Sequence, residues 1–174
     1  VSIMTGTGYV SANFSAWGGF ATTILLIVMF IGGCGGSTTC GIKVFRLQVL
    51  ASTAKVQISR LLRPHAVVLA YYNKRPVSVE VMDSVMGFFY LFILGFVLIA
   101  IMLGMAGLDF VTALSGAATS ISNVGPGLGE VIGADGNFST LPDSAKWIMS
   151  FAMLLGRLEI FTVLVMLNPA FWQR

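Results

Sequence analysis

The residues in this chain best placed to do chemistry act through their backbone. Ser122-Asn123-Val124-Gly125-Pro126-Gly127-Leu128-Gly129 follows a run of about a dozen small and apolar residues, Phe110 to Ile121. A helix that short suits a re-entrant dip into a bilayer rather than a crossing. A glycine-containing strand returning from it can aim backbone carbonyls at an axis, where they replace an ion's hydration shell. Glycine serves there because neighbouring carbonyls that point the same way need φ values other residues reach poorly. The chain holds a second such segment. Thr119-Ser120-Ile121-Ser122-Asn123-Val124-Gly125 lays over Ser2-Ile3-Met4-Thr5-Gly6-Thr7-Gly8 at an offset of 117 residues, the separation of Gly8 and Gly125. Each ends at a glycine and precedes an apolar run beginning near a tryptophan, Trp17 or Trp147. T-x-T-G and N-V-G are common by chance; their matching places in the chain give them weight. Together they predict repeated units of outer helix, pore helix, filter and inner helix. Two such strands cannot enclose an ion, so others must come from further repeats or other chains.

Two more features stand out. Gly32-Gly33-Cys34-Gly35-Gly36-Ser37-Thr38-Thr39-Cys40-Gly41 stops the apolar run Trp17 to Ile31. That run rises only about 22 Å against a hydrocarbon core of about 30 Å. The glycine segment therefore sits at membrane depth inside one broken helix, whose second half is the amphipathic stretch Ile42 to Leu62. Irregular backbone at that depth is tolerated only when buried in protein or lining a watery cavity. It is either a mobile element or a kink between two helices. Cys34 and Cys40 have no supporting ligands nearby and read as small apolar side chains; His65 lies in another segment. The second feature is Arg157, near the middle of the last apolar run, Trp147 to Leu167. A lone cation there costs about 2.5–3.5 kcal/mol on the mildest scale and should face the bundle interior or a pore. Glu159, two positions on, does not share its helix face.

These segments need positioning elements, and composition says what kind. Of 174 residues, 56% are hydrophobic and 10% charged, with 20 glycines; mean hydropathy is +0.90. Soluble domains carry about 25% charge. The balance excludes a disordered tail, a nucleic-acid binder and an ordinary cytosolic enzyme, and it indicates a lipid bilayer. Val1 as first residue indicates a piece of a longer chain, and no signal peptide precedes it. Pro64 to Pro76 reads as a short connection with strand-like Val67, Val68, Leu69, Tyr71 and Tyr72 and a turn at Asn73-Lys74-Arg75-Pro76. Ser78 is a candidate N-cap for an outer helix over 79–108, and Asp109 a candidate cap for a pore helix over 109–121. The filter covers 122–129, a solvated acidic loop 130–142, and an inner helix 143–168. Seven cations lie between residues 43 and 75, whereas Glu130, Asp135 and Asp143 flank the other loop with no cation between. The positive-inside rule puts the first connection in the cytoplasm and the second outside. The chain thus starts outside, crosses in, returns out, dips, and crosses in again. The basic charge is a topogenic signal.

The set Gly-Gly-Cys-Gly-Gly-Ser-Thr at 32–38 with Gly-Ile-Lys-Val at 41–44, Ser-Asn-Val-Gly-Pro-Gly-Leu-Gly at 122–129, and Gly-Arg-Leu-Glu-Ile-Phe-Thr-Val-Leu at 156–164 resembles the TrkH family, membrane subunits of the bacterial Trk potassium uptake system within the TrkH/KtrB/HKT superfamily. The resemblance runs along the whole chain as the C-terminal portion of a longer protein. It implies an all-α membrane protein of K⁺-channel type, with four linked M1–pore–M2 repeats around one pore. Residues 1–63 are then the end of the third repeat, 64–78 a cytoplasmic connection, and 79–174 the complete fourth. It implies that Gly8 and Gly125 are filter glycines and that the carbonyls of Thr5, Gly6 and Thr7 and of Ser122, Asn123 and Val124 line the K⁺ path. Gly6 stands where a threonine is common in the family, so that strand lacks a stiffening side chain and altered selectivity or conductance is expected. The glycine segment is implied to be the intramembrane gate under the filter, formed by Gly32, Gly33, Gly35, Gly36, Ser37, Thr38, Thr39 and Gly41. Arg157 is implied to be an electrostatic barrier beneath the filter; it could also tether the glycine loop through its carbonyls, or make a structural ion pair outside this chain. The implied setting is a multi-pass protein of the bacterial inner membrane. It works as a homodimer, completed by the N-terminal repeats of the same chain, and binds a cytosolic nucleotide-sensing subunit of TrkA type. K⁺ is the cargo.

No His-Glu-x-x-His, nucleophile–base pair or phosphate loop supports covalent chemistry. The competing readings are a secondary transporter of another class, using the broken helix over 17–62 as a substrate site, and a non-conducting membrane scaffold.

Overall fold

A computed structural model describes residues 1–37, 39–63, 69–158 and 165–166. Among these residues the elements follow in chain order: α1 Ser2–Thr5, α2 Gly19–Phe30, α3 Val44–Leu62, a small hairpin of strands β1 Tyr71–Tyr72 and β2 Arg75–Pro76, α4 Val79–Met105, α5 Phe110–Ser122 and α6 Asp143–Arg157. The fold of the described residues is mostly helical, as the composition predicts.

The long helix α4 is apolar on all sides beyond Asp83, and at about 1.5 Å per residue it is about 40 Å long. Among the described residues it alone is long and apolar enough to cross a membrane. Val85, Phe88, Phe92, Ile99 and Leu103 form its buried stripe at helical spacing, while Tyr90, Ile93, Val97 and Ile101 on the other face are exposed. An exposed apolar face on a helix of this length suits lipid or a neighbouring membrane segment. The helix stops at Met105, three residues short of the expected end, where Gly107 takes a left-handed turn at φ 90°. Ser78 holds the N-cap position, but its side chain accepts no cap hydrogen bond.

The short helix α5 is the centre of the molecule. From Ser115 to Ser122 every residue is buried. Ala113, Ala117, Ala118 and Gly116 are small enough for α4 and α6 to approach closely. Leu103 of α4 and Met149 of α6 come within reach of a methyl built on Gly116, at 3.4 and 3.7 Å. Asp109 caps α5 as the sequence predicts, its carboxylate accepting the Thr112 N–H at 3.2 Å. Hydrogen bonds from Thr112 hold that carboxyl below the ordinary aspartate range.

Two core clusters flank α5. One joins Phe88, Phe92, Leu103, Ile121, Leu141 and Met149. The other joins Ile3, Phe14, Met29, Ala118, Val124 and Leu128. Phe30, at the end of α2, packs edge-on against Phe96 and Phe92 at 5.0 and 6.1 Å between ring centroids. Within α2, Thr22 and Thr23 donate their hydroxyls to the carbonyls of Gly18 and Gly19 at 3.1 and 2.9 Å. That satisfies their polar atoms without water.

The structure corrects several expectations. The helix in the apolar run from Trp17 starts only at Gly19: Trp17 ends a short 3₁₀ turn over Phe14–Trp17, and Gly18, at φ 89°, separates that turn from α2. The loop 130–142 is not wholly solvated. Ile132 and Leu141 are 1% and 4% exposed and belong to the core. Ile132 is drawn in because its carbonyl accepts the Gly127 N–H at 2.7 Å, while its side chain covers Gly127, where no Cβ would fit. Of the expected inner helix, α6 is described from Asp143 to Arg157, with Leu158 at its C-cap, and Val165 and Met166 further along the same run are helical. Residues 159–164 and 167–168 of the expected inner helix, Thr38 and His65, and Val67 and Val68 of the strand-like run lie outside the described residues. The turn at Asn73 and Lys74 forms as predicted, both with positive φ, 47° and 64°. Ser52 of α3 fastens the hairpin through the backbone of Tyr71.

Candidate functional site: paired backbone segments and a closed glycine loop

The two segments matched at an offset of 117 residues adopt the same local geometry. Each begins as the left-handed end of a helix. Gly6 follows α1 at φ 69° and Asn123 follows α5 at φ 52°. One residue later the N–H turns back: Thr7 donates to the Ser2 carbonyl at 3.1 Å, and Val124 to the Thr119 carbonyl at 3.0 Å. These closures satisfy carbonyls that a helix end leaves open. Gly8 and Gly125 follow with φ 73° and 111°.

This explains the glycine at position 6. The site requires the left-handed region, which glycine enters freely and asparagine tolerates better than β-branched residues do. Space is short as well. A Cβ on Gly6 would lie 3.3 Å from the Thr39 methyl.

The segments also touch. A Cβ on Gly8 would overlap the Val124 carbonyl oxygen, and one on Gly125 would lie 3.7 Å from the Gly8 Cα. The Val124 carbonyl therefore faces Gly8. A cavity of about 310 Å³ opens beside this contact, lined by Thr7, Gly8, Tyr9, Gly125, Pro126 and Phe138 among others.

Behind the second segment, hydroxyls on one face of α5 hold the returning strand. Thr119 Oγ1 accepts the Gly125 N–H at 2.9 Å. One turn earlier, Ser115 Oγ accepts the Leu128 N–H at 3.0 Å and donates to the Val111 carbonyl at 2.7 Å. Ser122 Oγ is buried and finds no partner among the described residues. Asn123 Nδ2 donates to the Met153 carbonyl of α6 at 3.0 Å. Three residues on, α6 crosses the end of α5 so closely that a Cβ on Gly156 would overlap the Ile121 carbonyl oxygen.

The glycine segment between α2 and α3 is a loop closed at its base. Ile31 and Ile42 form a parallel β-bridge. Ile42 donates to the Phe30 carbonyl at 2.8 Å and Gly32 to the Ile42 carbonyl at 2.9 Å. Inside the loop, the hydroxyls of Ser37 and Thr39 share a hydrogen bond of 2.6 Å. Gly33 packs against both, since a Cβ there would lie 2.9 Å from Ser37 Oγ and 3.0 Å from Thr39 Oγ1. Gly35 and Gly36 form the turn at the tip. A second cavity of about 250 Å³ adjoins the loop, lined by Ser37, Thr39, Lys43, Arg46, Phe88 and Arg157 among others. Arg46 lies over the Phe88 ring, 3.8 Å from its centroid. Arg157 Nη1 reaches Cys40 Sγ at 3.8 Å, a weak contact between α6 and the loop.

The structure thus brings together Gly6, Gly8, Val124 and Gly125, and separately Arg157 and the loop. Thr39 links the two groups through Gly6. Sequence reasoning missed Thr119, Gly156, Cys40 and the side chain of Asn123. Only Gly156 left a signal, as a glycine inside an otherwise helical run.

Comparison with known proteins gives a consistent result. The family model for TrkH, described as a cation transport protein, matches residues 1–174. The chain is 48% identical over its full length to the Trk system potassium uptake protein TrkI of Halomonas elongata, covering 35% of that protein. It is 37% identical over 99% of its length to the Trk system potassium uptake protein TrkH of Escherichia coli K12, again covering 35%. The crystal structure of the potassium transporter TrkH from Vibrio parahaemolyticus superposes with a TM-score of 0.89 at 40% identity, covering 99% of this chain and 36% of that one. The chain spans about a third of the length of these relatives.

Proposed function

Because the chain belongs to the TrkH family of cation transport proteins, a family of transporters and not of enzymes, we propose that it forms the C-terminal part of a potassium uptake protein. In this reading Gly8 and Gly125 close two of four filter strands. The carbonyls of Thr5, Gly6 and Thr7 and of Ser122, Asn123 and Val124 replace water around K⁺, the transported ion. The single observation that carries the proposal is the shared geometry of residues 2–8 and 119–125. Both are left-handed helix ends followed by a positive-φ glycine, and they meet face to face at Gly8 and Val124. What supports the reading is that the cap, the turned-back N–H and the positive-φ glycine recur in the same order at the fixed offset.

The loop 32–41 then acts as the gate. Its glycine-rich backbone changes conformation at modest cost, whereas its bridged base keeps α2 and α3 together. Arg157 is the fixed positive charge beside the cavity next to the loop, and it opposes cation passage. The chain crosses the inner membrane of a bacterium several times, with the basic connection 43–75 in the cytoplasm. Outer helix α4, pore helix α5 and inner helix α6 form one complete M1–pore–M2 unit, and α1 to α3 end the unit before it. Two further units complete the pore, two such proteins pair as a homodimer, and a cytosolic nucleotide-binding subunit of TrkA type regulates it.

The test is uptake by the intact transporter in cells lacking other K⁺ uptake systems. Restored growth at low K⁺, with Rb⁺ uptake lost in Gly125→Ser, is the expected result. Uptake of an organic solute instead, or Rb⁺ uptake unaffected by Gly125→Ser in a membrane-inserted protein, overturns it.

A further inference from the structure

We infer that Thr119 is a positioning residue for ion selectivity: its hydroxyl sets the direction of the Val124 carbonyl. The inference rests on the proposed role of that carbonyl in the K⁺ path. A trans peptide is planar, with its N–H and C=O pointing to opposite sides. The Gly125 N–H and the Val124 C=O belong to the same peptide. On one side the N–H donates to Thr119 Oγ1 at 2.9 Å. On the other the carbonyl faces Gly8, close enough to exclude a Cβ there. Holding the N–H against α5 therefore holds the oxygen forward.

This peptide needs a clamp. Glycine at position 125 occupies φ 111° and accepts either orientation of the preceding peptide with little penalty. The next residue is Pro126, which has no N–H, so Gly125 provides the only amide hydrogen at these two positions. Thr119 is fully buried, so water does not compete for its lone pairs. The matched first segment is held differently. The Gly8 N–H reaches a backbone oxygen, that of Ser2, at 3.4 Å, and the Ser2 hydroxyl pairs with Thr7 at 3.1 Å. The clamp through a side chain belongs to the second segment, and it can be removed without touching the filter residues themselves.

The experiment compares Thr119→Val, Thr119→Ser and Gly125→Ser in the intact transporter, reading the ratio of K⁺ to Na⁺ uptake at matched membrane levels. Valine keeps the shape and loses the acceptor. Its K⁺:Na⁺ ratio is expected to fall by about tenfold, the scale of one hydrogen bond. Serine keeps the acceptor and should hold the ratio within about twofold of wild type on the same scale. Thr119→Cys, with a weak sulfur acceptor, should fall between and carries the test if the valine protein does not reach the membrane. An unchanged ratio in Thr119→Val, or equal shifts in valine and serine, overturns the role of Thr119 while a defective Gly125→Ser leaves the filter reading standing. Wild-type transport in Gly125→Ser as well overturns the filter reading itself, and this inference with it.

Discussion

Gly156→Ala is the sharpest probe of how α6 holds the segment proposed as a filter strand. Two effects oppose one another. In an ordinary helix, alanine is favoured over glycine by about 1 kcal/mol. Here the added methyl would overlap the Ile121 carbonyl oxygen and lie 2.7 Å from its carbonyl carbon and 3.0 Å from Asn123 Nδ2. Ordinary contact begins near 3.4 Å, so the carbonyl carbon alone asks the end of α5 and α6 to separate by about 0.7 Å, and the overlapping oxygen asks for more. The obstacle is backbone and cannot rotate away, which places the penalty near the upper end of the usual range, about 3 kcal/mol. The net expected loss is about 2 kcal/mol after the helix preference is subtracted. The shift falls on the residues leading into Asn123 and Val124, so function should suffer together with stability. The assay pairs thermal unfolding in detergent with Rb⁺ uptake by the intact transporter. Gly104→Ala is the control, because a Cβ there meets nothing within 4 Å; it should be neutral or slightly stabilising. If Gly156→Ala matches Gly104→Ala in both melting temperature and uptake, the close crossing of α5 and α6 has no part in holding residues 122–125.

Other perturbations separate the remaining parts. Asp109→Ala removes the cap of α5 and should cost about 1 kcal/mol, with Asp109→Asn costing less because asparagine also caps. Since hydrogen bonds from Thr112 lower the Asp109 pKa, its contribution is present above the unfolded value of about 3.9 and fades as pH falls through the lower folded value. Melting curves at pH 6 and pH 3 should therefore differ more for wild type than for Asp109→Ala. Ser115→Ala leaves the Leu128 N–H without its acceptor and should cost about 1–3 kcal/mol. Ser122→Ala removes a buried hydroxyl with no partner among the described residues and should be neutral or stabilising; calorimetry of the pair tests both. Arg157→Ala should raise K⁺ flux, and an unchanged uptake rate in well-expressed protein would count against the barrier role.

The parts of this architecture that follow from local rules could be read in the sequence. The length of α4, the cap at Asp109, the hairpin turn at Asn73-Lys74 and the break after Ile31 depend on residues adjacent in the chain. The pairing of residues 2–8 with 119–125 was legible because the same backbone demand recurs at a fixed offset. Gly6 looks different at the two levels of comparison. Compared by residue type it lacks a side chain; compared by φ it meets the requirement that Asn123 meets in the other copy. Burial of Ile132, the clamp of Thr119 on Gly125 and the Asn123–Met153 bond depend on where the strand returns relative to α5 and α6. No periodicity encodes that. Arg157 was flagged by charge alone, but its neighbour Cys40 lies 117 residues away in sequence and could be found only in three dimensions.

The bridge between Ile31 and Ile42 has a mechanical consequence. It ties the ends of the glycine loop together by two backbone hydrogen bonds, so the loop is a ring of chain fastened by a clasp. A pull along α3 passes through the clasp into α2 and bypasses the ring. Tension alone does not straighten the loop while the clasp holds. Its displacement must come from rotation of α3 about the clasp or from events at the rim, where Thr39 meets Gly6 and Cys40 meets Arg157. Force and signal thus travel by separate routes through the same thirteen-residue connection between Phe30 and Val44.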